Sequence, residues 1–502
     1  SDVYKRQIHN WHNHKARQLK ASILRHSGET EKALKFIEES LTIDKFNLGC
    51  RFEKYFIENN LTELQEMTSM LNGSVHNYIE YAFDFASAGM YEEASQIMHI
   101  YMEGRTDVYP MAAYMLGYFA SRSGNEEVAR QWYQKAQSLS PDKCFPNRID
   151  EINVLTDAMR MNPADYKAPY YLGNFWYAHR RYEEAISCWE KSVEINNQFP
   201  TALRNLSLAY YNKRNKKEEA RQLLEKAFEL DKTDSRIFME LDQLYKKMGR
   251  AHAERLALLE EHLDLVEQRD DLCIERITLY NLLGDYEKAK DLISNRKFHP
   301  WEGGEGKVTG QYILCRVELA KKAIKENRYS EAVALLKETE FYPHNLGEGK
   351  LSNAEENEVD YYKGIAYQKL GNDAESTKYL MKATQGSTEP QQAFYYNDQQ
   401  PDKIFYQGLA WRALGEENKA RSRFNKLIDH GKKHLFDDCK IDYFAVSLPE
   451  LAIWEDNLNI RNQIHCYYVM ALGYSGLGKE ELAEEYYEKV KRLDVNKQVF
   501  RM

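Results

Sequence analysis

The chain has 502 residues, with 69 Lys and Arg against 78 Asp and Glu, a net charge of −9, and only 25 Gly and 11 Pro. That length exceeds one ordinary compact core, and so little Gly and Pro argues against sandwiches and long disordered linkers. The near-balance of charge, with no strongly basic stretch, argues against nucleic acid as a partner, and no run of about eighteen apolar residues offers a membrane span.

Residues 1–7 stand apart. Asp2-Val3-Tyr4-Lys5-Arg6-Gln7 reads as the translated end of a transposon adapter from a sequencing library, so it is excluded from fold reasoning and the natural chain is expected to extend further forward. From residue 8 a helical pattern begins. In His9–Phe46 the residues Ala21, Leu24, Gly28, Ala33 and Ile37 place an apolar stripe on each of two helices joined by a short turn. Arg51–Leu71 is helical by pattern but lacks small residues where its helices would cross, so it reads as a degenerate pair. Ala82, Phe85, Gly89, Tyr91 and Ala94 define another pair; Leu116, Gly117, Ala120, Gly124, Ala129, Tyr133, Ala136 and Pro141 define the next. Residues 8–141 thus form an N-terminal array.

Residues 142–165 interrupt the period. Pro146, the helical run Ile149–Met161 and Asn162-Pro163 predict one linker helix and a soft boundary. A central array spans 166–428, and its pattern is fullest at Tyr170–Val193. There Leu172, Gly173 and Trp176 precede a polar turn at 179–181, and Tyr182, Ala185 and Trp189 follow it. Thr201–Leu230 has one extra residue in its turn. Further pairs centre on Gly249, Gly284, Tyr329, Gly371 and Gly415, and a C-terminal unit at 461–502 carries Ala471, Tyr474, Gly478, Ala483 and Tyr487.

One such pair cannot bury both its faces, so it needs like neighbours. The spacing resembles the tetratricopeptide repeat (TPR). The resemblance implies an all-α, right-handed α-solenoid of about eleven to twelve helix hairpins whose purpose is binding protein segments. In its register the inner groove is expected to be lined by Tyr114, Tyr118, Tyr170, Asn174, Tyr177, Arg204 and Tyr211, since tyrosine offers large amphipathic area at little rotamer cost. Tyr170 stands where some TPR grooves carry a lysine that clamps a terminal carboxylate; binding of a chaperone tail is therefore disfavoured, although Asn174 is present.

Two loops break the pattern and match each other. Phe298-His299-Pro300-Trp301 to Val308 and Phe341-Tyr342-Pro343-His344 to Leu351 share Phe, Pro and Gly-Glu-Gly-Lys 43 positions apart. Trp301, Glu305, Lys307, His344, Glu348 and Lys350 then form either a packed, elongated turn or a docking edge, where an aromatic plane beside Glu and Lys suits a glycan. Gly-x-Gly-Lys with no strand before it and no Ser or Thr after it is not a phosphate loop. A second departure, the insertion 429–460, interleaves Asp437, Asp438, Asp442, Glu450, Glu455 and Asp456 with Tyr443, Phe444, Val446, Leu448, Leu451 and Trp454, which predicts that it packs on neighbouring repeats or a partner. Together these features resemble the C-terminal half of a bacterial family that joins a β-rich, mutarotase- and glycosidase-accessory-like domain to a TPR tail. That resemblance implies a non-catalytic scaffold that binds a protein segment or its own β-rich domain, with a carbohydrate-active accessory role as the alternative.

No catalytic motif is present, and no cofactor is implied. His9, His12 and His14 lack acidic or Cys partners, and Lys432 and Lys433 oppose a cation at His430 and His434, so no metal is expected. Seven scattered cysteines without a Cys-x-x-Cys pair predict reduced thiols and a cytoplasmic setting.

Overall fold

The computed structural model describes residues 12–301, 303–352, 354–393, 400–440 and 453–498. Segment 1–7, His9, Glu302 and the insertion residues Asp442, Tyr443, Phe444, Val446, Leu448, Glu450 and Leu451 lie outside the described residues. Among the described residues every regular element is a helix. The helices are α1 (His14–His26), α2 (Thr30–Ile43), α3 (Leu48–Glu58), α4 (Leu61–Leu71), α5 (Val75–Ser87) and α6 (Tyr91–Met102). Next come α7 (Pro110–Arg122), α8 (Glu126–Ser138), α9 (Asp150–Met161), α10 (Lys167–Ala178), α11 (Tyr182–Ile195) and α12 (Pro200–Arg214). They are followed by α13 (Lys217–Leu230), α14 (Ser235–Lys247), α15 (His252–Glu261), the short α16 (Leu263–Val266), α17 (Asp270–Leu282), α18 (Tyr286–Asn295) and α19 (Lys307–Lys325). The last are α20 (Tyr329–Lys337), α21 (Asn357–Lys369), α22 (Asp373–Ala383), α23 (Pro401–Ala413), α24 (Glu417–His434), α25 (Leu458–Gly476) and α26 (Glu480–Leu493). In chain order they fall into first–second pairs, with α9 and α16 outside the scheme.

The turn inside every pair but α3–α4 has one construction. A residue with positive φ ends the first helix, and the next residue donates its N–H to the carbonyl five positions back, which satisfies an orphaned helix-end carbonyl. Gly28 precedes Glu29, bonded to Leu24 at 2.9 Å; Gly89 precedes Met90, bonded to Phe85 at 3.1 Å; Gly124 precedes Asn125, bonded to Ala120 at 2.9 Å. The extra residue read in the turn after Tyr210 is visible as a bond that reaches six positions, from Lys216 to Tyr210 at 2.9 Å.

Crossings inside the pairs obey a second rule. A Cβ on Gly117 would stand 2.6 Å from the Tyr133 ring, and glycines 173, 364 and 408 are met in the same way by Trp189, Leu380 and Phe424. Each partner lies sixteen positions downstream. The glycine therefore makes room for a large side chain of the second helix, a packing that any methyl group would displace.

Two compact units divide the chain, residues 1–209 and 210–502. In the first, α1 packs on α2 and α3, α5 on α6, and α7 on α6 and α8. The single helix expected at 142–165 is present as α9, but it packs on α7, α8 and α10, so the break in sequence period is not a break in packing. A buried ion cluster ties this unit together: Arg25 bonds Glu53 at 2.6 Å and Glu93 at 2.7 Å, and Ser22 donates to Glu53 at 2.6 Å. In the second unit each first helix packs on the next, α17 on α19, α19 on α21, α21 on α23 and α23 on α25. Its own buried cluster centres on Arg255, fully enclosed, with Asp242 and Glu275 each at 2.7 Å. Lys246 pairs with Glu275 at 2.9 Å. Burial opposes ionisation of Glu275, yet the charges of Lys246 and Arg255 outweigh it and hold the carboxyl down at about 2.

Candidate binding surfaces

The residues expected to line a groove divide into three groups. Tyr114 and Tyr170 are not on a groove. Tyr114 is fully buried; its hydroxyl donates to Asp165 at 2.8 Å, and burial pushes its pKa well up. The cause is local: α9 and the connection that follows it cover the face of α7 that the repeat register would leave open. Tyr170 is 5% exposed and packs edge-on against Phe199 at 4.9 Å. Tyr118, beside Phe119, is half-buried.

Asn174, Tyr177 and Arg204 do come together. The Asn174 Oδ1 accepts from Trp189 Nε1 at 3.1 Å and from Asn205 Nδ2 at 3.0 Å, while Arg204 donates to the Asn205 Oδ1 at 3.0 Å. The Tyr177 ring lies 5.2 Å from Trp189 and 5.0 Å from Tyr182. The result is a half-buried patch of amides and aromatic edges across two successive first helices, α10 and α12. Elsewhere in the first unit α1, α3 and α5 frame an open cavity of about 400 Å³ lined by Lys15, Gln18, Asn77, Glu80 and Tyr81.

The two Gly-Glu-Gly-Lys loops clasp each other. Phe298 N–H donates to the Asn345 carbonyl at 2.7 Å, and the Asn345 side chain donates back to the carbonyls of Ile293 and Arg296 at 2.9 and 2.8 Å. Gly347 is pressed so closely on Phe298 that a Cβ would stand 2.8 Å from its carbonyl oxygen. Glu348 accepts the Gly306 N–H at 3.1 Å, which places a carboxylate at the N-terminus of α19. Lys350 donates to the Thr339 carbonyl at 2.8 Å and pairs with Glu356 at 2.5 Å. Glu348 and Lys350 are thus spent on the fold, whereas Lys307 and His344 are exposed and Trp301 and Glu305 half-buried.

Tyr211 carries the surface that sequence reasoning missed. Its ring is met edge-on at 5.1 Å by Trp454, which is 2% exposed and donates Nε1–H to the Glu240 carbonyl at 3.1 Å. Asn212 grips the same segment by its backbone, donating to the Ile453 carbonyl and accepting the Glu455 N–H, both at 2.9 Å. Lys213 pairs with Glu455, and Lys247 with Asp456. Residues 453–456 of the insertion therefore pack on α12 and α14, which precede them by more than two hundred residues. Tyr211 and Trp454 were each visible in the sequence; their meeting was not, because repeat periodicity carries no information about long-range contact.

Six of the seven cysteines have thiols that burial raises to about 11 or 12, and all seven are free, so none of those six is a poised thiolate. Among the described residues no helix is long and apolar enough to cross a membrane.

Residues 14–47, 112–143 and 464–496 match one family model and 201–230 another, and both are described as tetratricopeptide repeat. The chain is similar to the TPR domain of P58(IPK), with 12% identity over 98% of each chain and a TM-score of 0.27. It is similar also to YrrB, described as a TPR protein with an unusual peptide-binding site, at 16% identity over 48% of this chain and 97% of that one, with a TM-score of 0.18. A third similar structure is pilF of Pseudomonas aeruginosa, at 17% identity over 43% and 87%, with a TM-score of 0.25.

Proposed function

We propose that this TPR-containing chain is a non-catalytic scaffold that binds extended protein segments across the faces of successive first helices. One observation carries the reading. The α12–α14 face already holds a non-helical stretch of polypeptide, and does so by its backbone, through the paired bonds from Asn212 to Ile453 and Glu455. A side-chain amide that both donates to a carbonyl and accepts from an N–H recognises peptide whatever its sequence. The Asn174, Tyr177 and Arg204 patch offers similar chemistry on α10 and α12, with aromatic area beside adaptable amides. The glycan alternative gains nothing from the loops, whose Glu348 and Lys350 are engaged within the fold.

The test is selection from a random-peptide display library against the whole chain. Enriched peptides that lose binding at least tenfold on combined Tyr177→Ala and Arg204→Ala substitution support the reading. A library that returns no binder, or binders indifferent to those changes and to Asn212→Ala, overturns it.

A further inference from the structure

We propose that the face made by Tyr211, Asn212, Lys213, Glu240 and Lys247 is a recognition site for one class of segment, an indole followed by two carboxylates, and that Trp454-Glu455-Asp456 occupies it in cis as a displaceable stand-in. The proposal rests on the scaffold reading above and names the ligand for one of its faces.

The contacts divide as they do in a peptide-recognition site. At the centre one large aromatic side chain is removed from solvent, with its only polar atom satisfied: Trp454 is 2% exposed, and its Nε1–H meets the Glu240 carbonyl at 3.1 Å. Such a buried anchor carries most of the binding energy at an interface. Beside it, Asn212 fixes the direction and register of the chain by bonding on both sides of Trp454. At the rim, Glu455 and Asp456 stay half-exposed, at 53% and 46% of their side chains, and meet Lys213 and Lys247. Partly solvated ion pairs of this kind contribute little stability, but they select charge and speed encounter.

These groups lie on first helices, α12 and α14, which supply the indole shelf, the amide and both ammonium groups from a contiguous surface. Nothing in the recognition depends on the ligand belonging to the same chain. The stand-in is held by one indole, two backbone bonds and two rim pairs. A partner segment that presents the same indole and carboxylates, with further contacts of its own, would displace it. The state of the site then reports whether the partner is present, and the released 453–456 stretch becomes available in turn.

The experiment uses the full chain with Trp454→Ala, which empties the shelf, and a fluorescent peptide covering residues 451–458. The peptide is expected to bind the variant at least tenfold more tightly than the wild-type chain, whose shelf is filled. Replacing the peptide's tryptophan by alanine, or both its acidic residues by lysine, is expected to abolish binding. Lys213→Glu with Lys247→Glu, made in the Trp454→Ala chain, is expected to restore binding of the lysine-bearing peptide. Equal binding to wild type and variant, or undiminished binding of the alanine peptide, overturns the proposal. Should Trp454→Ala perturb folding by circular dichroism, hydrogen exchange at the Glu455 amide of the wild-type chain gives the answer: millimolar peptide accelerates it if the stand-in is displaced, and unchanged exchange overturns the idea. If this peptide fails while library selection still returns binders sensitive to Tyr177→Ala, this ligand assignment falls and the scaffold reading survives.

Discussion

Glycine has two separate uses in these hairpins, and substitution distinguishes them. Gly89 sits at φ 81° in a turn with nothing near its missing Cβ, so Gly89→Ala strains only the backbone, at about 1–2 kcal/mol. Gly173 has helical backbone but lies under the Trp189 indole, so Gly173→Ala is an overpacking change at about 1–3 kcal/mol. The difference appears in a double-variant cycle: Gly173→Ala should cost much less in a Trp189→Leu background than in the wild-type chain, and urea midpoints of the four chains check it. No second-site change should recover Gly89→Ala. Arg255→Ala is harsher, because it leaves Asp242 buried without its guanidinium, and about 3–5 kcal/mol of destabilisation is expected in the second unit's unfolding midpoint. At this scale the glycines, the turn residues and the stripe residues are legible in the sequence, since each reflects a constraint local to one pair. Arg255 is not: a charged residue in a helical pattern reads as solvated until its neighbours from other helices are known.

At the scale of elements, a helix end and a helix pair each give a measurable consequence. Glu348 reaches from the second loop to the Gly306 N–H at the start of α19, so Glu348→Ala removes a cap and is expected to cost about 1 kcal/mol. Hydrogen exchange at Gly306 and in the first turn of α19 should accelerate, while α17 is unaffected. In the last two pairs, burial holds the imidazoles of His430 and His465 down, to about 4 and about 3. His465 also bonds the Gln391 carbonyl through Nε2 at 2.7 Å, and His430 stands 4.6 Å from the ring of His434. Both folded-state values lie below the ordinary 6.5, so the unfolded chain binds the proton more readily, and stability present above pH 6.5 is lost as pH falls toward 4. Each ring contributes a slope of up to about 1.4 kcal/mol per pH unit. His465→Gln keeps the donor and should flatten the midpoint-against-pH curve between pH 6.5 and 4; an unchanged curve would contradict the burial argument. The elements themselves follow from periodicity, but the groove register does not survive where α9 is inserted. The same interruption that sequence reading noticed at 142–165 is what buries Tyr114, and only its packing direction was missing.

At the scale of the chain, the second unit departs from a simple nearest-neighbour stack, in which each repeat answers only to the next. Besides the Trp454 contact, Asn496 donates to the Lys246 carbonyl at 3.0 Å, and Gln311 donates to Gln498 at 3.1 Å. Asn496 and Gln498 thus hold α14 and α19, far earlier in the same unit. Asn496→Ala is expected to accelerate amide exchange around Lys246 about fivefold, for ~1 kcal/mol of lost protection, despite a sequence separation of 250 residues; a purely local effect would show that the tie is idle. The same tie has a consequence in time. Lys247 leaves the ribosome 207 residues before Trp454, which at ~5–20 residues per second is roughly ten to forty seconds of synthesis. During that interval the nascent α12–α14 surface presents a bare aromatic ledge, and a passing factor has its opportunity before the protein's own tryptophan has been made.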